Sequence, residues 1–386
     1  MIRWNYMVLF LIPAAGCRMP YEPPPIAAAG SYLVVQGVIE PGPDSTVIQL
    51  SHTVSLSGNS TVNPVTGATV SVVSDQNNIY PLSETGAGNY TSPGLNLNYS
   101  HEYRLDIKTP DGQHYQSDLE PVTVAPPIDS LGFKISSLDG QYGIQIYVNA
   151  HDATSQAKYF RWDYDENWEF HPKFVSPWTG NGMTIVKRGP LPDITNCYGS
   201  DISSDIVLGS TAKLGQDVLY QSPIIFIAST SEKIESRYRI LVRQYALTGE
   251  EYDFWKNLRT NTEQLGSIFD AEPSEVPGNI HCVNNPAEPV VGYVGVCNAS
   301  TKIMFVNASQ LPAWVPDYPY VCPLTPADIG SSEYDLLVNF PDIYFPVDSG
   351  IDRMSTPPDQ LAFFYTDREC ADCSIRGSVV PPPYWQ

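Results

Sequence analysis

Apolar and polar positions alternate with a period of two through the first third of the chain. Residues 101–108 set Tyr103, Leu105 and Ile107 against Arg104, Asp106 and Lys108. Residues 66–73 put Ala68, Val70 and Val72 on one face. Residues 31–40 form an apolar run, and 46–50 follow it after Pro and Gly. Side chains of a strand point alternately to its two faces, so this pattern predicts half-buried strands. Residues 86–90 and Pro110-Asp111-Gly112 supply turns. Short strands at this spacing predict an antiparallel sandwich over residues 31–124.

Ala125-Pro126-Pro127 marks a boundary, and residues 125–386 read as a larger β-rich domain. Residues 142–150 alternate Ile144, Ile146 and Val148, and 158–170 alternate Phe160, Trp162 and Tyr164. These two runs are expected to be adjacent strands of a second sheet. Residues 171–222 hold many turn formers and read as a long excursion. Further strands are expected at 223–229, 237–247, 290–296 and 301–306. One segment reads as a helix, from about 249 to 264. Thr248 and Glu251 form a capping box, and Tyr252, Trp255 and Leu258 share a face. Residues 307–386 are Pro-rich, which disfavours long helices and central strands. They are expected to wrap the second domain as a disulfide-held tail, with a strand-like run at 361–365. The fold class is therefore all-β.

Composition narrows the function. The 386 residues carry 42 Asp and Glu against 21 Lys and Arg, a net charge of −21. Such a chain repels phosphates, which argues against nucleic acid as a partner. The 42% hydrophobic content is enough for a packed core. No apolar run reaches the ~18 residues of a membrane-spanning helix.

The N-terminus reads as an address. Arg3 precedes the apolar stretch MVLFLIPAA, which ends in Ala14-Ala15-Gly16-Cys17. This order resembles the bacterial lipoprotein signal, which implies cleavage after residue 16 and acylation of Cys17. Residues 1–16 are then the signal peptide and 17–30 the lipidated cysteine and a Pro/Ala-rich tether. The expected site is the outer membrane, with Cys17 anchored in its lipid bilayer. A single acid, Glu22, lies before Pro23, which mildly favours surface display over a periplasm-facing orientation. Setting Cys17 aside leaves Cys197, Cys282, Cys297, Cys322, Cys370 and Cys373. An even six in an exported protein predicts disulfides, with 15 connectivities open. Zinc needs a second CxxC, and a redox site needs its CxxC at a strand-to-helix turn. Cys370-Ala371-Asp372-Cys373 meets neither condition.

The order V-x-G-A-x-V-x-V, G-N-Y and Y-x-L-x-I-x-T-x-D-G in the first domain resembles transthyretin-like and carboxypeptidase-regulatory-like sandwiches. Beyond it, Asn196-Cys197, Ser222-Pro223-Ile224-Ile225, Arg237-Tyr238 with Val242-Arg243-Gln244, and Cys370-Ala371-Asp372-Cys373 with Trp385 carry a wider resemblance. The chain is similar to a family of uncharacterised Bacteroidota lipoproteins encoded beside TonB-dependent receptors. That resemblance implies an outer-membrane location and a TonB-dependent receptor as protein partner, and no catalytic residue. It also implies that Cys282 and Cys297 are not shared positions and pair with each other. Cys197 is then the partner for one of the three tail cysteines.

Other chemistry is mostly excluded. Asp163-Tyr164-Asp165-Glu166-Asn167 opens like a calcium loop, but Trp168 stands at the glycine position and Phe174 at the bidentate glutamate. No HExxH, GxSxG or phosphate-binding glycine loop occurs. The expectation is a non-catalytic protein with no cofactor and no metal. Trp168 and Trp178 are candidate ligand-contact aromatics. Asp44-Ser45-Thr46 and Asp129-Ser130-Leu131 resemble the Bacteroidota O-glycosylation signal at Ser45 and Ser130. The leading reading is an accessory lipoprotein of an outer-membrane uptake complex. Its rivals are a free-standing adhesin or glycan-binding lipoprotein, and an enzyme with a site assembled from distant loops.

Overall fold

The computed structural model describes residues 32–54, 62–190, 192–263, 276–355 and 360–385. Cys17, the signal peptide and the tether lie outside the described residues. Strands, in several sheets, dominate the regular structure of the described residues.

The first sheet curls until its two ends nearly meet. Leu33–Val38 pairs with Thr46–His52, which pairs with Asn89–Ser92. Ile79–Gly86 joins that strand to Thr69–Ser74, and Glu102–Lys108 and His114–Ser117 follow. Both ends are then held by one returning stretch of the second half. Ile280–Cys282 pairs with His114–Ser117, and Val290–Val291 lies parallel to Leu33–Val38. The alternation seen in sequence is the reason for the fold: Tyr103, Leu105 and Ile107 are buried with Leu33, Val35, Ile48 and Leu50. Tyr90 crosses this core and donates its hydroxyl to the Val65 carbonyl at 2.8 Å, so the ring is buried without an orphaned polar atom.

The second unit is two sheets face to face. One has three strands, Ile128–Leu138, Gln141–His151 and Val218–Ala228. The other has Tyr159–Phe170 at its centre, paired with Arg237–Leu247 on one side and with Cys197–Ile202 and Val207–Ser210 on the other. Ser300–Asn307 extends it beyond Arg237–Leu247. The runs 142–150 and 158–170 are therefore not neighbours in one sheet, as expected, but lie in opposite layers. The turn between them carries the chain across: the Asp152 carboxylate accepts from the amides of Thr154, Gln156 and Ala157. Ile144, Ile146 and Val148 meet Phe160, Trp162 and Tyr164 across the interface. Trp162 donates its indole N–H to Gln244, whose amide reaches the Pro126 carbonyl, so this polar pair is satisfied inside the core.

The predicted helix is present as Gly249–Glu263, with the Glu251 amide donating to Thr248 Oγ1 at 3.1 Å. It is not the only helix. Ser332–Asn339 and Arg368–Ala371 add two short ones in the tail. The tail is also more than a wrapping. Thr325–Asp328, Tyr344–Asp352 and Gln360–Asp367 form a three-stranded sheet of their own. Gln360–Asp367, which has no proline, is the central strand, while Pro326 and Pro346 occupy the two edges. Proline lacks an amide donor and so is tolerated there.

Cys197–Cys373 and Cys322–Cys370 are disulfides, and the first ties the tail to the second unit. Cys282 and Cys297 are free, which corrects the pairing implied by the resemblance. The physical reason is that they sit in different cores. Cys282 packs in the first unit with Tyr115 and Ile280, and Cys297 packs in the second, accepting from the Ala246 amide.

Candidate functional site

A cavity of about 820 Å³ forms a cleft between the two units. Its floor is the outer face of the five-stranded sheet, the face turned away from Trp162. Register places Arg161 opposite Tyr245, Asp163 opposite Arg243, and Arg243 opposite Thr301. Its wall is the outer face of the first sheet, where Val34, Val38 and Val47 point away from the first unit's core and Val38 packs against that of the second. Phe254, Trp255 and Leu258 of the helix close one end, and Ser45 and residues 202–206 form the lips.

The floor is charged but internally paired. Arg243 makes a two-pronged bond to Asp165, with Nη1 at 3.0 Å from Oδ1 and Nη2 on Oδ2. That carboxylate raises the Arg243 guanidinium pKa, fixing its charge. Arg161 lies between two rings, 4.2 Å from Trp255 and 4.9 Å from Tyr245, and 3.5 Å from Asp163. Its Nε is buried and has no partner. Four acids and two arginines line the cleft, so its field is mildly negative.

Behind the helix lies a pair of buried carboxyl groups. Glu251 is 3% exposed, and its one side-chain hydrogen bond comes from Trp255 Nε1 at 3.2 Å. Burial pushes its pKa up to about 7, against the opposing pull of Arg161 and the Trp255 bond. Glu120 is raised by burial too, although Tyr293 Oη donates to it at 2.6 Å and Asn279 Nδ2 at 2.9 Å. Gly295 makes room for Glu251: a β-carbon there would lie 2.5 Å from Oε2. We expect Gly295→Ala to destabilise the protein by about 1–3 kcal/mol, because the Glu251 carboxyl it would meet is buried and has little room to withdraw. A thermal melt at neutral pH checks this, and an unchanged midpoint would show that the helix end is loosely held.

The predicted site residues are dispersed. Ser45 is exposed at the cleft lip. Ser130 is exposed on the three-stranded sheet, its Oγ accepting from Asn149 Nδ2. Neither tryptophan stands as an open platform. Trp168 is half-buried, donates to Glu232 and lies 4.9 Å under Lys233, while Trp178 packs edge-on to Phe363. Both rings are spent on packing the tail and its neighbours. Asp163 and Asp165 sit on the outer face of a strand, where Arg161 and Arg243 are their charged partners. Among the described residues, no group of three or more His, Cys, Asp and Glu could hold a metal ion. The cleft residues Arg161, Arg243, Tyr245 and Trp255 were not foreseen. Their signal was present: a charged and aromatic alternate face in 158–170 and 237–247, opposite the apolar one.

Fold and cleft together define a two-unit β protein with a large groove between its units. The chain belongs to the family described as domain of unknown function DUF4249, whose match spans residues 18–303. The match takes in both units and the cleft and ends before the tail, so Cys322, Cys370 and Cys373 lie beyond it. No curated protein is similar enough to the chain to count as a match.

Proposed function

We propose that this chain is a non-catalytic lipoprotein of the bacterial outer membrane, an accessory subunit of a TonB-dependent receptor or a similar uptake complex. The observation that carries the reading is the N-terminal order of Arg3, apolar run, small residues and Cys17, followed by a tether. Acyl chains on one cysteine hold a protein at a membrane by roughly 0.8 kcal/mol per buried methylene. The cleft supports a binding role. Its wall is apolar, its floor carries paired charges on rigid strands, and its lips are serine- and acid-rich, which suits a partner loop or a small amphipathic ligand. Anchorage is tested by Cys17→Ala. The variant should move from the membrane to the soluble fraction on cell lysis. Equal fractionation of variant and parent would contradict lipid anchoring.

A further inference from the structure

The solvent-facing side of the three-stranded sheet carries a second feature, unconnected with the cleft. Its core side is Ile144, Ile146 and Val148, so Gln145, Tyr147 and Asn149 face outward. Two aromatic rings on this outer face reach over glycines of the neighbouring strands. A β-carbon on Gly132 would lie 2.8 Å from the Tyr147 ring, and one on Gly143 would lie 2.7 Å from the Phe226 ring and 2.2 Å from the Ile227 carbonyl oxygen. A third ring, Tyr220, is 77% exposed. It sits where Val218–Ala228 slips register against Gln141–His151, and the next residue, Gln221, is left-handed at φ 48°. Non-glycine residues rarely adopt that backbone, and bulges re-aim side chains.

Amides interleave with the rings. Gln221 donates its backbone N–H to Asn149 Oδ1 at 2.7 Å, accepts from Lys134 Nζ at 2.8 Å, and donates Nε2 to Tyr220 Oη at 3.4 Å. Lys134 Nζ also lies 5.9 Å from the Tyr147 ring centre. The geometry points to a glycan-binding strip that runs along the strands over Tyr220, Tyr147 and Phe226, for a neutral polysaccharide chain. Flat rings offer their apolar faces to the C–H faces of sugar rings, and the amides and the lysine meet hydroxyl groups. A peptide adding by main-chain pairing needs a sheet edge, and this is a face. The net charge of −21 repels uronic acid polymers and phosphates. The strip does not depend on the receptor partnership proposed above.

Native gels cast with hydroxyethyl cellulose, xylan or galactomannan test this on the purified full chain in detergent, with polygalacturonate as the anionic comparison. The expected result is retardation by at least one neutral polymer and none by polygalacturonate. Tyr147→Ala and Tyr220→Ala should each weaken binding about tenfold, the loss of one stacked ring. Tyr220→Ala should keep the parent melting temperature, since that ring is exposed. No retardation by any of the three neutral polymers would overturn the inference. So would retardation by polygalacturonate alone, or equal retardation of parent and both variants.

Discussion

Cys197→Ser is expected to loosen the whole C-terminal tail and to lower stability on the order of 3–5 kcal/mol. The Cys197–Cys373 bridge closes a loop of 176 residues, and the loop-entropy estimate for so long a closure lies at the top of the usual range. The sulfurs are fully buried with Phe170, and Trp168 packs against them. Beyond the bridge, the last residues are held by side chains of the central sheet. Arg237 donates to the Trp385 carbonyl at 2.7 Å, and the Arg239 guanidinium lies 4.0 Å from the Tyr384 ring. Arg239 and Trp385 are buried, so these contacts reinforce the hold that the disulfide places on the tail. Limited proteolysis should cut the variant within residues 376–385 under conditions that leave the parent intact. Equal protection of the two proteins would show that packing alone holds the tail. Mapping of unreduced peptides should also find Cys282 and Cys297 as thiols. Cys297 should label only after unfolding, because burial pushes its thiol up to about 11.

Glu251→Gln should stabilise the protein at alkaline pH and have no such effect near pH 4. The sign follows from the shift. The folded pKa of about 7 lies above the ordinary 4.5, so the folded state holds its proton more tightly than the unfolded chain does. Stability on this account is full below pH 4.5 and is lost as pH rises through 7. The shift corresponds to roughly 2–4 kcal/mol lost across that window. Glutamine keeps the shape and cannot ionise, so it removes the loss. Urea midpoints from pH 4 to 8.5 should diverge with rising pH, the variant above the parent. Parallel curves would mean that Arg161 compensates the buried carboxylate fully. The helix that carries Glu251 closes one end of the cleft, so the same titration should loosen that wall.

Local features of this fold were legible in the sequence because they are local in origin. The alternation of Tyr103, Leu105 and Ile107, the aromatic face of Phe160, Trp162 and Tyr164, and the cap formed by Thr248 each depend on neighbours a few residues away. What was not legible depends on distance. Nothing in residues 280–298 announces that they return to seal a sheet begun at Leu33. Alternation places Ile144 and Phe160 on core faces, but it does not say that the two faces oppose each other rather than lie side by side. Proline density argued against central strands in the tail; the strand-like run at 361–365 was legible, but its place at the centre of a three-stranded sheet depends on partners far along the chain. Cysteine counting leaves many pairings open, and only the separate burial of Cys282 and Cys297 shows why these two do not meet. The cleft was hidden for the same reason. Val34, Arg161, Arg243 and Trp255 come from four elements, and each looks like an ordinary outward-facing residue until the two units pack together.

The receptor partnership is the central claim, and co-purification tests it most directly. The chain, tagged at its C-terminus and expressed at its natural level, is captured from outer membranes in a detergent that retains known receptor complexes. Mass spectrometry then identifies what comes with it. The account predicts a TonB-dependent receptor in stoichiometric amount, bound to a chain acylated at Cys17. Recovery of the acylated chain alone, under those same conditions, would contradict it.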